Sequence, residues 1–250
     1  MMHALSLGRA ALMARPEREL TAEESARYDV LIAERVTGRP IQYIVGEQEF
    51  YGLRFRMAPD VLIPRPETEH LVEAVLNTVT QDEAVRIVDV GTGSGAIAVA
   101  LAKLLPRAVV HALDLSDAAL RIAQQNAEEN GVGERVLFLH SDLLEAVADE
   151  RFDVVVSNPP YVRLGERESL DAQVSAFEPA LALFAGETGF EVYERLIPQA
   201  AGVLRKGGLL AMEIGWGQST HISELLRGWS DVRFVEDLQG IARVALARKI

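Results

Sequence analysis

Apolar and polar positions follow two different rhythms along the chain, and the change between them falls near Val85. Before that point the pattern is mixed and few elements are predicted. Thr21 and Glu24 have the spacing of a capping box, which predicts that a helix begins there. The helical pattern continues toward Gly38-Arg39-Pro40, which we expect to end it.

A hairpin and a connector are predicted next. Apolar and polar residues alternate around a glycine over residues 49–56, which is typical of two short strands joined by a turn. Residues 57–66 contain three prolines and are therefore expected to be extended. A helix is predicted from residue 67 to about residue 80.

From residue 85 onward, apolar strand-like runs alternate with helix-like runs. The strand candidates are residues 86–90, 109–113, 136–139, 152–156, 209–214, 232–236 and 242–247. The helix candidates between them are residues 97–105, 117–130, 190–204 and 219–228. This alternation predicts a parallel, doubly wound α/β sheet with helices on both faces. Only a short loop around Gly240 separates the last two strands, so the final strand should run antiparallel to its neighbour.

Three segments follow from these patterns. We expect a small helical N-terminal domain ending in the hairpin at residues 1–58, a linker with a connecting helix at residues 59–80, and an α/β domain at residues 81–250. A chain of 250 residues, with 49% hydrophobic and 25% charged residues, is long enough to bury the core of such an arrangement.

The composition and net charge limit which classes of molecule the protein is expected to bind. The formal net charge of −12 disfavours stable binding to the phosphate backbone of nucleic acids. Cysteine is absent, which excludes disulfides, and the five histidines are scattered without a metal-binding spacing, so no metal site is expected. The sequence shows no leader and no apolar run long enough to span a membrane, and we expect a cytoplasmic protein without membrane contact.

A glycine-rich loop follows the first strand of the alternating region, at Gly91, Thr92, Gly93, Ser94 and Gly95. Glycines let the backbone turn tightly and approach a ligand closely, and the helix that follows offers free N–H groups to a polar ligand. The loop alone does not identify the ligand. Gly91, Gly93 and Ala96 also satisfy a variant of the fingerprint of nicotinamide dinucleotide sites.

Two acids stand where a nucleoside could be held. Asp114 ends the second strand, nineteen residues after Gly95, where a carboxylate can accept hydrogen bonds from both ribose hydroxyls. Asp142 follows the third strand, in His140-Ser141-Asp142, a position suited to an adenine amino group. Ser and Asp also commonly turn the chain after a strand, which is the structural alternative for Asp142.

The fourth strand ends in a tetrad, Asn158-Pro159-Pro160-Tyr161. Two prolines at the end of a central strand are poor choices for structure alone, and this edge of a parallel sheet is where ligands bind. A planar amide or aromatic amine is a poor nucleophile and must be held by acceptors. Asn158 and Pro159 offer a side-chain and a backbone carbonyl, and Tyr161 offers a flat ring. The tetrad is therefore typical of a site that presents such a nitrogen for methyl transfer.

The chain resembles the methyltransferases that modify the glutamine side-chain nitrogen of peptide chain release factors. The resemblance runs from about Leu7 to Arg248 and includes the glycine loop, the tetrad and a set of surrounding motifs. These motifs are residues 39–46 (RPIQYIVG), residues 64–69 (PRPETE), residues 177–181 (FEPAL), residues 213–215 (EIG) with Gln218, and Asp237-Leu238 with Gly240 and Arg243.

The resemblance implies a fold, a cofactor and a site. The fold is the seven-stranded, Rossmann-like class I sheet of S-adenosylmethionine-dependent methyltransferases, with an antiparallel last strand and a small helical N-terminal domain that recognises the substrate. The residues expected to bind S-adenosyl-L-methionine are Gly91, Thr92, Gly93, Ser94, Gly95, Asp114, Asp142, Leu143 and Asn158. The residues expected to bind the substrate glutamine are Asn158, Pro159, Pro160 and Tyr161, with Asn158, Pro159 and Tyr161 acting in catalysis.

Two features differ from the usual pattern of that family. One or two helices that open the N-terminal domain are expected to be missing before Leu7. Leu143 stands where many relatives carry an aromatic residue against the adenine, although an aliphatic side chain can still cover the face of a base.

Two other acceptors share this chemistry. One is a glutamine of a ribosomal protein, and the other is an amino group of a nucleic-acid base, which the same tetrad also serves. The net charge of −12 and the lack of a large insertion argue against the base. The resemblance implies a peptide chain release factor as the partner, and the sequence alone separates this substrate poorly from a ribosomal protein.

Overall fold

The N-terminal part of the chain is helical in the computed structural model, which describes residues 1–80 and 83–250. Its helices are α1 (Met2–Leu5), α2 (Arg9–Ala14), α3 (Ala22–Val36) and α4 (Ile41–Val45). The capping box predicted for α3 is confirmed, since Glu24 N donates to Thr21 Oγ1 and Thr21 N donates to Glu24 Oε2. α1 lies ahead of Leu7, where the resemblance had led us to expect missing helices.

The predicted hairpin is confirmed as the antiparallel pair β1 (Glu47–Phe50) and β2 (Leu53–Arg56). Its turn, Tyr51-Gly52, has φ values of 52° and 72°, the left-handed geometry that suits a two-residue connection between twisted strands. The buried rings of Phe50 and Phe55 pack edge to face. Arg56 N donates to Oδ1 of Asn126 at 2.6 Å, which ties the hairpin to the α/β part of the chain.

The connector forms neither helix nor strand over residues 57–65, as its prolines predict. A 3₁₀ turn over Pro66–Thr68 leads into α5 (Glu69–Leu76), which ends before the predicted residue 80. The prediction was too long because the Thr78 hydroxyl donates to the backbone oxygen of Val75 and competes with continued helix. The predicted boundary between the connecting segment and the α/β domain falls at residue 81, which lies outside the described residues.

The α/β part alternates strands and helices. Its strands are β3 (Arg86–Val90), β4 (Val109–Asp114), β5 (Val136–His140), β6 (Phe152–Ser157), β7 (Val162–Arg163), β8 (Phe184–Gly186), β9 (Leu204–Glu213), β10 (Ser230–Glu236) and β11 (Ala242–Arg248). Its helices are α6 (Ala96–Leu104), α7 (Asp117–Glu129), α8 (Ala172–Phe177), α9 (Ala180–Leu183), α10 (Glu191–Val203) and α11 (Ser219–Leu225).

Seven of these strands form one sheet, in the order β10-β11-β9-β6-β3-β4-β5. β11 runs antiparallel to both of its neighbours, whereas β9, β6, β3, β4 and β5 pair in parallel. The predicted antiparallel last strand is therefore confirmed. Buried apolar residues from α5, α6 and α7 cover one face of the sheet, and those of α10 and α11 cover the other.

Two parts of this region differ from the prediction. β9 begins at Leu204 and not at residue 209. Polar residues and glycines follow Leu204 in the sequence and do not predict a strand. Leu204 nevertheless pairs with Phe152, across an irregular register, and this pairing extends β9. The stretch between β6 and α10 contains β7, α8, α9 and β8, which the sequence did not predict. These elements are two to six residues long, too short for a periodic pattern to mark them.

Candidate active site

The predicted site residues lie along one edge of the sheet, because the parallel strands all end there. Val90 pairs with Ser157, and Ser157 pairs in turn with Met212. The residues that follow these positions are the start of the glycine loop, Asn158 and Glu213. These residues therefore lie next to one another, at the ends of three adjacent strands.

The glycine loop is open on one side and closed on the other. Gly91, Gly93 and Gly95 have φ values of 72°, 55° and 79°. A Cβ atom at Gly95 would lie 3.0 Å from Cβ of Ala123, because α7 packs against the loop there. A Cβ atom at Gly91 or Gly93 would meet no atom within 4 Å. The free backbone of these two glycines thus leaves room for a ligand.

Thr92 and Ser94 are buried and hold the loop from beneath. Thr92 Oγ1 donates to Oδ2 of Asp89 at 2.7 Å, and the backbone oxygen of Ser94 accepts from Nδ2 of Asn126 at 2.8 Å. Burial raises the pKa of Asp89 to about 7, although the hydrogen bond from Thr92 opposes the shift. In this structure, the side chain of Thr92 therefore supports the loop.

Asp114 is placed against the loop by the end of β4. Its Oδ2 accepts from Gly93 N at 2.8 Å, and its Oδ1 accepts from Ser116 N at 2.8 Å. Burial raises its pKa, and these two backbone donors oppose the shift. Each carboxylate oxygen keeps a second lone pair, so Asp114 is fixed in place and can still accept hydrogen bonds from a ligand.

Asp142 and Leu143 follow β5 at the same edge. Oδ2 of Asp142 accepts from Nη2 of Arg195 at 2.7 Å, an ion pair that was not predicted from the sequence. Leu143 has a φ of 51°, unusual for a residue with a side chain, and its half-buried side chain packs against the core. A ligand that contacts Asp142 would share its carboxylate with Arg195.

Asn158 contacts the connector region. Its Nδ2 donates to Oγ1 of Thr68 at 3.2 Å, a contact between residues 90 positions apart. Thr68 is buried and ends the 3₁₀ turn before α5. This bond uses a donor of the Asn158 amide and leaves the amide oxygen as the acceptor that can face a substrate.

Tyr161 is held by the last residue of β9 and by the segment that follows this strand. Its hydroxyl lies 3.5 Å from Oε1 of Glu213, a long hydrogen bond, and its backbone oxygen accepts from Nε2 of Gln218 at 3.2 Å. A Cβ atom at Gly215 would lie 2.9 Å from Cδ2 of Tyr161. The glycine is needed here because the backbone passes directly against the tyrosine ring.

Glu213 lies beneath these groups as a buried carboxyl. It is only 3% exposed, and its Oε2 has no hydrogen-bond partner among the described residues. Burial raises its pKa to about 7, and Thr68, Arg243 and Tyr161 oppose the shift. The hydroxyl of Tyr193 donates to the backbone oxygen of Glu213 at 2.9 Å.

Another buried acid, Glu178, connects the motif at residues 64–69, which precedes the tetrad in the sequence, with the motif at residues 177–181, which follows it. Oε1 of Glu178 accepts from Nη2 of Arg65 at 2.5 Å, and its Oε2 accepts from Ile63 N at 3.2 Å. The Glu178 side chain is 1% exposed and that of Arg65 is 34% exposed. This ion pair holds the connector against the segment before α9.

Sequence reasoning named the motifs of Thr68, Glu178 and Glu213 but gave these residues no role. Glu213 ends a buried apolar strand, as Asp114 does, and that signal could have marked it. The contact of Thr68 with Asn158 joins distant parts of the chain, and no local pattern predicts it.

Comparisons with known proteins decide the family. Two family models match, the PrmC N-terminal domain over residues 1–46 and the methyltransferase small domain over residues 68–183. The release factor glutamine methyltransferase of Koribacter versatilis is 50% identical over 250 residues, which are 100% of this chain and 89% of the relative. That of Moorella thermoacetica is 44% identical over 98% of this chain and 87% of the relative. The chain belongs to the release factor glutamine methyltransferase family.

Membership of the release factor glutamine methyltransferases confirms the resemblance found in the sequence. A solved structure, the T. thermophilus 16S rRNA N2 G1207 methyltransferase (RsmC) in complex with AdoMet and guanosine, superposes with a TM-score of 0.60. It is 22% identical, and the match covers 82% of this chain and 50% of that one. The likeness confirms the predicted class I methyltransferase fold.

Two further facts concern the described residues of this family member. Over residues 1–80 and 83–250, no helix has both the length and the apolar character needed to cross a membrane. Across the same ranges, no three acidic or histidine side chains are grouped so that they could hold a metal ion.

Proposed function

We propose that this methyltransferase transfers a methyl group from S-adenosyl-L-methionine to the side-chain amide nitrogen (N5) of the glutamine in the Gly-Gly-Gln motif of a peptide chain release factor. The names of its relatives support the reaction and the substrate class. The observation that carries the proposal is the Asn158 amide. Its Nδ2 is engaged by Thr68, so its oxygen is available beside the glycine loop.

The residues of the loop fit the methyl donor. Gly91 and Gly93 leave open space in front of their backbone, and Asp114 keeps acceptor lone pairs that suit ribose hydroxyls. Asp142 and Leu143 stand where the adenine would lie. When bound, S-adenosylmethionine supplies a methyl group on a sulfonium, which is a strong electrophile.

The tetrad prepares the acceptor nitrogen. The lone pair of a glutamine amide is delocalised into its carbonyl, so the nitrogen reacts only when its two N–H groups are held by acceptors and its lone pair is aimed at the methyl carbon. The Asn158 oxygen and the rigid Pro159 backbone oxygen serve as those acceptors. Pro160 and the Tyr161 ring bound the flat amide group.

No strong general base is required of these residues. The amide nitrogen becomes acidic once it carries the new methyl group, and it loses its proton to the acceptors or to solvent. Positioning is therefore the main contribution of the tetrad, in line with the large effects that removal of one preorganised polar group produces at reacting centres.

Other features of the chain complete the proposal. A ribosomal-protein glutamine would present the same amide, whereas an amino group of a nucleic-acid base is disfavoured by the net charge of −12. We expect no stable nucleic-acid binding, no metal requirement and a cytoplasmic location. The family name of the relatives favours the release factor over the ribosomal protein.

We also propose the division into a substrate-recognition domain at residues 1–58, a connecting segment at residues 59–80 and a catalytic domain at residues 81–250. The match of a separate N-terminal family model to residues 1–46 supports this division. Removal of residues 1–38 should raise the KM for an intact release factor far more than it weakens binding of S-adenosylhomocysteine. Equal activity of the two chains on the intact substrate would refute the assignment.

The direct test is to incubate the protein with a release factor and isotopically labelled S-adenosylmethionine. Tandem mass spectrometry should then locate a single label on the glutamine of the Gly-Gly-Gln motif. A release factor in which that glutamine is replaced should take up no label. Label on another residue, or on a ribosomal protein alone, would contradict the proposal.

A further inference from the structure

We propose that Asn126 is a positioning residue of the cofactor site. Its side chain holds the peptide unit between Ser94 and Gly95 in the form that binds S-adenosylmethionine, and the hairpin in turn holds the side chain of Asn126. The inference rests on the part of the proposed function that places the cofactor at the glycine loop.

Asn126 is a polar residue in a completely buried position. It lies on α7 with none of its surface exposed. An amide buried in this way costs free energy unless it forms hydrogen bonds, so an apolar residue would serve the packing of α7 better. Three hydrogen bonds, to segments 32 and 70 residues away in the sequence, offset that cost. These bonds, and not helix packing, account for an asparagine at this position.

The first of these bonds fixes one end of a peptide unit in the glycine loop. Nδ2 of Asn126 donates to the backbone oxygen of Ser94 at 2.8 Å. At the other end of the same peptide unit, Gly95 N donates to the backbone oxygen of Thr92 at 2.8 Å. A peptide plane that is bonded at both ends cannot rotate without losing a bond. The path of the loop from Thr92 into α6 is therefore fixed.

The other two bonds fix the direction of the Asn126 amide. Arg56 N, at the end of the hairpin, donates to Oδ1 of Asn126 at 2.6 Å, and the backbone oxygen of Arg56 accepts from Nδ2 at 3.3 Å. A reversed amide would set its NH₂ group against the N–H of Arg56 and its oxygen against two carbonyls. The hairpin therefore keeps the Nδ2 donor directed at Ser94.

A neighbouring asparagine contacts the hairpin at another point. Asn130 follows α7 directly, and its Nδ2 donates to the backbone oxygen of Arg54 at 2.9 Å and to that of Asn126 at 2.8 Å. Asn126 and Asn130 both bind β2, but it is Asn126 that also bonds to the loop. Comparing the two residues therefore separates support of the loop from attachment of the hairpin.

The test replaces Asn126 with alanine and, in a second variant, with leucine, which is close to asparagine in size. Both variants leave the oxygen of Ser94 without its donor. Binding of S-adenosylhomocysteine, measured by calorimetry, should weaken by about 10-fold or more, on the scale of a buried polar group left unpaired. The KM for S-adenosylmethionine should rise similarly. At saturating cofactor, kcat and the KM for the release factor should stay within about threefold of wild type.

Asn130→Ala is the matched control. It should lower the stability measured by urea unfolding, because it removes a bond to the hairpin, and it should leave the affinity for S-adenosylhomocysteine unchanged. Asn126 variants that bind S-adenosylhomocysteine as tightly as wild type would overturn the proposal. Equal weakening in Asn130→Ala would also overturn it, since attachment of the hairpin would then explain the loss.

A measurement on the wild type does not depend on the folding of any variant. If the loop and Asn126 are held together, S-adenosylhomocysteine at about 100 times its Kd should slow exchange of the Asn126 side-chain N–H groups with solvent by about 10-fold or more. The Asn130 side-chain N–H groups should exchange at an unchanged rate. An Asn126 amide that does not respond to the ligand would contradict the proposal.

The same samples distinguish this inference from the proposed function. The backbone NMR signals of Gly91 and Gly93 should shift when S-adenosylhomocysteine is added. Unshifted signals would refute the placement of the cofactor and this inference with it. Shifted signals with normal affinity in the Asn126 variants would refute this inference alone. Weakened affinity in those variants, together with methylation of a residue other than glutamine, would refute the proposed acceptor and leave this inference in place.

Discussion

The two sides of the site are built differently. On the proposed cofactor side, the loop from Gly91 to Gly95 and Asp114 lie within 24 residues, and backbone N–H groups hold the carboxylate. On the proposed acceptor side, Asn158 is held by Thr68, 90 residues away, and Tyr161 by Glu213, 52 residues away. The cofactor side is assembled mainly by local chain geometry, and the acceptor side is assembled only when the whole fold closes.

This difference separates binding from chemistry. A locally built loop can recognise the cofactor and tolerate changes elsewhere in the protein. An acceptor site made of contacts between distant segments depends on tertiary packing, and small losses there should affect turnover and not cofactor affinity. The variants below either break this comparison or sharpen it.

Asn158→Ala should have the largest effect, a fall in kcat of about 10²-fold or more, since it removes a preorganised acceptor at the reacting nitrogen. Affinity for S-adenosylhomocysteine, measured by calorimetry, should be nearly unchanged. Asn158→Asp keeps an oxygen that can accept the amide proton, so it should retain partial activity. Wild-type rates in both variants would show that the tetrad is structural.

Arg65→Ala should have the next largest effect, and on stability. The substitution leaves the buried Glu178 carboxylate without its charged partner. We expect the free energy of unfolding to fall by about 2–3 kcal/mol. This loss is smaller than the full cost of breaking a buried ion pair, because Arg65 is partly exposed. Urea unfolding measures it. The control is Arg227→Ala, which removes an exposed pair with Glu224 and should change little. Equal losses in the two variants would contradict the role given to burial.

Asp114→Ala tests the cofactor side. We expect binding of S-adenosylhomocysteine to weaken by about 1.5–3 kcal/mol, the usual scale for lost hydrogen bonds to a charged group. Asp114→Asn keeps one oxygen acceptor and should lose less. Calorimetry that finds unchanged affinity in both variants would remove Asp114 from the cofactor site.

Glu213→Gln should change the free energy of unfolding by an amount that depends on pH. The folded pKa of Glu213 is raised from its ordinary value of 4.5 to about 7, so its contribution to stability is full below pH 4.5 and is lost as the pH rises through 7. Relative to wild type, the glutamine variant should therefore gain about 2–3 kcal/mol between pH 5 and pH 8. Thermal unfolding at both pH values measures the difference. An unchanged difference would mean that the carboxyl does not titrate in this range.

The alternation of strands and helices, the antiparallel last strand and the glycine-rich loop could be predicted from the sequence because each depends on local patterns. The strand from Arg86 to Val90 and the capping box at Thr21 were placed correctly for that reason. The start of β9 was wrong because pairing with Phe152, and not local propensity, extends it to Leu204. Thr68 and Glu213 received no role because only the folded chain brings Thr68 to Asn158 and Glu213 to Tyr161.

The most direct test of this separation measures the rate of methyl transfer to an intact release factor at increasing concentrations of S-adenosylmethionine. The rate is compared among the wild type, Asn158→Ala and Asp114→Ala. Methyl transfer to the substrate glutamine is followed by mass spectrometry. We expect saturating cofactor to restore the Asp114 variant to within about threefold of wild type, because its lost hydrogen bonds affect binding. The Asn158 variant should remain impaired at every concentration. Recovery of both variants, or of neither, would contradict the separation of the two sides.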